Sequence, residues 1–223
     1  MSEAHEHPHP EDTAVPTDFE KRAGAMFELL IQKRVFTADE VRQQMELMES
    51  RNPALGAKVV AKAWVDPAFK ARLLEDPQAA LEELGIAWDK GTQLAVVENT
   101  PEVHNAVVCT LCSCYPRPLL GVPPSWYKSL AYRSRIVAEP RDVLLEFGLR
   151  LGEDVEVRVH DSTADMRYLV LPMRPSGAER LTEPELAELV SRDSMIGAAQ
   201  AAPAPGGPTR TASYADASVE RHN

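Results

Sequence analysis

The sequence predicts an α+β protein in which an N-terminal helical arm precedes a layered α/β domain of mixed strands, and that domain carries a cysteine-claw metal loop. Three observations carry this expectation. Apolar residues recur at three- and four-residue spacing in the early chain, β-rich runs set in only after Gly91, and every cysteine falls between Cys109 and Cys114, directly behind the second such run. A length of 223 residues suits one domain or two small ones with a real apolar core.

Residues 1–17, acidic and proline-bearing with His5, His7 and His9 in alternation, read as a disordered tail. From Asp18 to about Arg34, Phe19, Ala23, Met26, Phe27, Leu30 and Ile31 make one helical stripe. Thr37 and Glu40 form a capping-box pattern for a second helix with Val41, Met45 and Met48 on its stripe. Asn52-Pro53, Asp66-Pro67 and Asp76-Pro77 each join a capping side chain to a proline fit for a first helical turn, and Gly85 ends the series. Residues 18–85 are therefore expected to be a helical arm that packs on another surface. The domain proper, 86–197, begins with strands at Gln93–Val97 and Val103–Val108 around the turn Glu98-Asn99-Thr100-Pro101. Pro116, Pro118, Pro123 and Pro124 forbid a continuous helix after the cysteines. Helices are expected from Pro124 to about Tyr132 and from Pro140 to Phe147, strands around Val155, Val157 and Val159 and over Tyr168–Leu171, and a last helix from Thr182, capped with Glu185. Residues 198–223, rich in Ala, Pro, Gly and Ser, read as a second disordered tail.

Composition excludes several functions. A net charge of −10, from 34 acidic and 24 basic side chains, argues against binding nucleic acid through phosphates. No stretch has the length of a membrane span or the apolar core of a secretory signal, so a cytoplasmic protein is expected, with no membrane partner. Three cysteines cannot build a disulfide framework.

Those cysteines stand in Val108-Cys109-Thr110-Leu111-Cys112-Ser113-Cys114-Tyr115-Pro116-Arg117-Pro118. A structural zinc site wants four ligands, for which only His104 lies near as a fourth. An iron–sulfur cluster wants a fourth thiolate, and a redox pair leaves Cys114 unused. Buried inert cysteines or a partial zinc site stay open on these grounds. The Cys112-Ser113-Cys114 spacing offers a further arrangement. The amide nitrogens of Ser113 and Cys114 lie in the covalent path between two sulfurs, so their deprotonation makes the tripeptide a four-donor chelate with one six-membered and two five-membered rings. Cys109 would then add an axial thiolate and leave a sixth position for water or substrate. Amidate ligation needs a strongly polarising, trivalent low-spin ion, and three thiolates with two amidates leave a formal charge of about −2 around it. From Arg117 to Arg141 the cations Arg117, Lys128, Arg133, Arg135 and Arg141 face one acid, Glu139, an excess that would stabilise such a centre; for all but Arg117 a solvated face or subunit contacts explains them equally well.

At these residues the chain resembles the α-subunit of nitrile hydratase. The resemblance runs from about Val59 to Ala198 and is strongest in Val96–Pro101, Val108–Pro116, Gly121–Ser129, Tyr132–Pro140 and Arg167–Pro172. It implies that Cys109, Cys112 and Cys114, with the backbone nitrogens of Ser113 and Cys114, hold non-corrin Co(III), iron being less favoured because Thr110 and Tyr115 match the cobalt-type pattern. It further implies a sulfinate at Cys112, a sulfenate at Cys114, and a chemistry in which Cys114, Ser113, Tyr115 and Arg117 take part. The partners it implies are a small-molecule nitrile, a cobalt-loading activator protein and a β-subunit, whole or split between two chains, which supplies arginines to the oxidised sulfurs in a heterotetramer or larger assembly and is wrapped by the N-terminal arm. Arg117 departs from the pattern, because nitrile hydratases generally have tryptophan there. Thiocyanate hydrolase, whose catalytic subunit shares the claw, has arginine, and a guanidinium beside the open metal position favours an anion or a polar nitrile over a hydrocarbon. Lys90 stands where many relatives carry a glutamine near the metal. The expected activity is hydration of a nitrile to its amide. Thiocyanate hydrolysis to carbonyl sulfide and ammonia is the alternative, and a metal-binding or assembly homologue with an unloaded claw is an alternative of another class.

Overall fold

The computed structural model describes residues 17–206, so His5, His7 and His9 and the chain beyond Gly206 lie outside the described residues. The chain divides into two units, 1–48 and 49–223. In the first, α1 (Asp18–Gln32) opens on a reciprocal cap in which the Glu20 amide donates to Thr17 Oγ1 at 3.3 Å and the Thr17 amide donates to Glu20 Oε2 at 2.6 Å. The next helix, α2 (Ala38–Ser50), starts in the same way on Thr37 and Glu40. No residue of α1 is buried, and Phe19, Met26 and Met45 stay open to solvent.

Three proline-started helices follow, α3 (Pro53–Val65), α4 (Pro67–Glu75) and α5 (Pro77–Glu83), capped by Asn52, Asp66 and Asp76. The sequence assigned them to the arm, but they belong to the second unit, and Val59, Val60, Phe69, Leu73 and Leu81 are fully buried in its core. The reason is visible in α3, whose buried residues Gly56, Ala57, Val59, Val60, Ala61 and Ala63 spread over roughly half of the helix surface, a wider face than a single stripe, and leave Ala54, Lys58 and Val65 exposed on the other side.

The strands are β1 (Gln93–Glu98), β2 (Val103–Val108), β3 (Glu156–Asp161) and β4 (Met166–Leu171), within two residues of the expected runs. Although β1 and β2 are joined by a short turn, they do not pair with each other. β1 pairs in parallel with β4, from Gln93 opposite Met166 to Glu98 opposite Leu171, and β2 pairs in parallel with β3, from Val103 opposite Glu156 to Val108 opposite Asp161. Helices α4 and α5 pack on β1. Between β2 and β3 lie the single turns α6 (Arg117–Leu120) and α7 (Ser125–Lys128), then α8 (Leu130–Ala138) and α9 (Pro140–Glu146). The helix expected over 124–132 is broken because Ser129 is extended and instead caps α8, its hydroxyl accepting from the Tyr132 amide at 3.1 Å. After α10 (Glu183–Glu188) a further short helix, α11 (Arg192–Ile196), packs on β4 and β2. Residues 198–206, expected in the tail, are partly built in: Ala198 and Ala204 are buried, and the Ala202 amide donates to the Leu189 carbonyl at 2.7 Å. Alanine fits such close approaches because it brings no rotamer entropy to lose. No helix among the described residues is long and apolar enough to cross a membrane.

Gly197 ends α11 at φ +85°, where a Cβ would stand 1.9 Å from the Asn105 carbonyl oxygen. Gly197→Ala is expected to destabilise the fold by at least about 2 kcal/mol through the left-handed backbone and the clash together. Gly206→Ala, with φ +74° and nothing within 4 Å of its Cβ, should cost only about 1 kcal/mol. Denaturant unfolding of the two variants measures the difference.

The same backbone closes a buried polar network. His104 Nε2 donates to the Gly197 carbonyl at 2.7 Å, which leaves Nδ1 to accept from Asn99 Nδ2 at 3.3 Å. Asn99 Oδ1 accepts from the Asn105 amide at 2.8 Å, and His160 Nε2 donates to Asn105 Oδ1 at 2.8 Å. Both nitrogens of His104 are thus engaged within the core, which removes it as a fourth zinc ligand. Burial lowers its pKa below the usual 6.5. The unfolded chain then binds more protons than the folded one in acid. This contribution to stability is complete above about pH 6.5 and is lost below it, with a slope approaching about 1.4 kcal/mol per pH unit for one proton. Unfolding free energies between pH 7.5 and 5.5 should show the decline, and His104→Gln should reduce it, the remainder belonging to His160, whose pKa burial and the Arg158 charge also lower.

Candidate metal centre

The cysteine loop begins where β2 leaves its pairing with β3. The Ser162 amide still donates to the Val108 carbonyl at 2.7 Å, after which Asp161 turns its carboxylate to the loop, accepting from the Thr110 amide at 2.9 Å and the Thr110 hydroxyl at 2.6 Å. Helices α7 and α8 hold the loop from another side. Tyr132 donates its hydroxyl to the Val107 carbonyl at 2.8 Å, Tyr127 donates to the Cys114 carbonyl at 2.8 Å, and Arg133 donates to the carbonyls of Cys109 at 3.1 Å and Thr110 at 2.6 Å. The tyrosines are locked by edge-on packing among Tyr115, Trp126, Tyr127, Tyr132 and Phe147.

So held, the three sulfurs converge. Cys109 and Cys112 are 3.5 Å apart, Cys112 and Cys114 are 3.3 Å apart, and the three ligand atoms lie within 4.8 Å of one another. Two thiolates bound to one ion at about 2.3 Å and at right angles stand about 3.3 Å apart, so the spacing fits adjacent corners around a metal. Among the described residues no histidine or carboxylate joins this group. Cys109 is fully buried, Cys114 is half-buried and Cys112 is exposed, which sets the buried thiol behind the other two. Hydrogen bonds from the Cys114 and Cys109 side chains bring the Cys112 thiol down to about 7, helped by the backbone amides of Ser113 and Cys114. Burial and the neighbouring sulfurs push Cys114 up to about 12. The loop therefore favours a thiolate at Cys112 and opposes one at Cys114, an opposition that a bound cation would relieve.

An open cavity of about 310 Å³ lies over the exposed side of the loop, lined by Cys112, Ser113, Cys114, Tyr115, Arg117 and Pro118, and on the other side by Trp88, Asp89, Thr92 and Arg167. All of the site residues read from the sequence are brought together here except Cys109, which lies behind. Tyr115 is buried, its hydroxyl has no hydrogen-bond partner among the described residues, and burial raises its pKa. The Arg117 guanidinium makes no hydrogen bond or ion pair with any described residue and borders the cavity as a solvated cation. The other cations of its run divide. Arg133 serves the loop, whereas Arg135 is spent on Glu139 and Glu146, both at 2.7 Å, and Arg141 on the carbonyls of Gly152 and Val155. Lys90 is exposed and does not line the cavity, although its neighbour Asp89 does, held by Arg51 Nη2 at 2.7 Å.

Sequence reasoning missed Trp88, Asp89, Thr92 and Arg167. The β1–β4 register explains their arrival, since pairing of Gln93 with Met166 brings the entry of β1 and the entry of β4 to one sheet end. The signal available was Gly91 in the turn, at φ +86°.

A family model described as "Nitrile hydratase, alpha chain" matches residues 17–199. Among curated proteins, the low-molecular-weight cobalt-containing nitrile hydratase subunit alpha of Rhodococcus rhodochrous is 52% identical over 177 residues, covering 79% of this chain and 86% of that protein. Thiocyanate hydrolase subunit gamma of Thiobacillus thioparus is 44% identical over 201 residues, covering 85% and 82%. Among solved structures, a recombinant thiocyanate hydrolase comprising partially modified cobalt centres superposes with a TM-score of 0.81 at 42% identity, covering 85% of this chain and 92% of that one.

Proposed function

The chain belongs to the nitrile hydratase α-chain family, and from that premise we propose that it is the metal-bearing subunit of a cobalt-dependent nitrile hydratase. The observation that carries the proposal is the convergence of three sulfurs within 4.8 Å of one another, two of them, on Cys112 and Cys114, lining an open cavity. Cys109, Cys112 and Cys114 hold the ion, and the amides of Ser113 and Cys114 complete its donor set. Cobalt-containing relatives support the metal. When bound, the ion supplies Lewis acidity to the C≡N group.

The chain's own residues orient the substrate. Tyr115, Pro118 and Trp88 give the cavity apolar walls, while Arg117 and Arg167 give it two cations. Water adds across C≡N to yield the amide, and the positive rim stabilises negative charge gathering on the substrate nitrogen. Cys112 and Cys114 are proposed to carry oxygens that accept hydrogen bonds from arginines of a β-subunit. The open cavity and the solvent-facing side chains of Leu111, Val122 and Leu130 support a second subunit that completes the pocket, so the isolated chain should be inactive. Loading by an activator protein belongs to the same proposal, as does residence in the cytoplasm.

The second reading is thiocyanate hydrolysis, and the observation that favours it is the uncompensated Arg117 at the cavity. The complex purified with its native partner and loaded with cobalt is to be assayed on an aliphatic nitrile, a heteroaromatic nitrile and thiocyanate. Amide formation supports the hydratase. Thiocyanate turnover with no amide from either nitrile would overturn it.

A further inference from the structure

Arg133 is used by nothing proposed so far, yet its geometry is specific. It projects from α8, and its guanidinium clasps two successive carbonyls of the cysteine loop, Nε to Cys109 at 3.1 Å and Nη2 to Thr110 at 2.6 Å. Two residues on, Arg135 of the same helix is matched by two carboxylates. Arg133 forms no ion pair among the described residues, so its whole charge is directed at the loop. Arg133 does not line the cavity, and one of the two residues it clasps, Cys109, carries the fully buried sulfur of the three. Thiolates and amidates around a trivalent ion make a net negative centre, and a partly buried cation beside it is screened far less than a surface charge.

We infer that Arg133 is a positioning residue for the metal centre: its fork fixes the Cys109–Thr110 backbone, and its charge offsets the excess negative charge of the loaded loop. The inference rests on the proposed cobalt site. It predicts distinct roles for shape and charge. Arg133→Gln keeps donors and loses the charge; Arg133→Lys keeps the charge and loses the planar fork.

The test uses the full complex purified with its partner, in the wild type, R133Q, R133K and the control R135Q. Cobalt content, the rate of cobalt loss to a chelator, and the sulfur-to-cobalt charge-transfer absorption are measured beside the thermal unfolding midpoint. R133Q is expected to lose cobalt about tenfold faster or more, as removal of a group supporting metal ligands typically does, with a shifted charge-transfer band. R133K should recover part of both, and R135Q should match the wild type. R133Q with wild-type retention and spectrum would overturn the inference, as would R135Q reproducing its effects. If R133Q does not fold, R133K decides: intermediate retention with a shifted band supports the inference, and wild-type values overturn it. A wild-type complex that retains no cobalt would overturn the metal-centre reading and the inference with it, whereas failure of the inference alone leaves the wild type loaded.

Discussion

Cys114→Ser should lower turnover by about a thousandfold or more, the scale of several kcal/mol of transition-state stabilisation lost when Lewis-acid catalysis fails. Serine is nearly the same size but a hard oxygen donor of much higher pKa, and it cannot reproduce the soft thiolate or carry the oxygen proposed on that sulfur. The loop itself should persist. The Cys114 carbonyl, not its sulfur, takes the Tyr127 hydroxyl at 2.8 Å, and the Arg133 and Asp161 contacts lie on Cys109 and Thr110. Initial rates on a nitrile, set beside metal content and unfolding midpoint, separate lost chemistry from lost fold. Near-normal turnover in this variant would count against the three-sulfur site.

Arg117→Trp should change which substrate is accepted. The guanidinium borders the cavity with no partner among the described residues, so its removal breaks no internal contact. An indole in its place adds apolar wall and takes away a charge. The ratio of kcat/KM for an aliphatic nitrile to kcat/KM for thiocyanate is expected to rise by about 10- to 200-fold, the range available to one remodelled pocket contact. If thiocyanate is only an inhibitor of the wild type, its inhibition constant should weaken by a similar factor. Substrate selectivity that does not move would place Arg117 outside the substrate's reach, and Arg167, across the cavity, would then be the remaining cation of the rim.

The sequence made the local parts of this site legible, because their logic is local. The capping pairs Thr37/Glu40 and Thr182/Glu185, the Asp-Pro and Asn-Pro helix starts and the strand leading into Cys109 all form between neighbours, and all stand as expected. The chelate spacing is likewise a property of three consecutive residues. The opposite cavity wall was not legible. Trp88, Asp89 and Thr92 reach the cysteines only through a parallel pairing of β1 with β4, separated by roughly seventy residues of chain, and no short pattern encodes that register. The cation cluster shows the same limit. Spacing alone cannot tell Arg133, directed at two loop carbonyls, from Arg135, neutralised by Glu139 and Glu146, since the partner carboxylates arrive from α9 and the helix end. The burial of α3 was not legible for a related reason, because its apolar face is broad and what covers it comes from distant parts of the chain.

The most direct test of the central claim is metal analysis of the purified complex together with the intact mass of the peptide spanning Cys109–Cys114. The proposed centre predicts one tightly held cobalt per chain and a mass increased by three oxygens, two on Cys112 and one on Cys114. Zinc, or no metal, with three unmodified cysteines would contradict it.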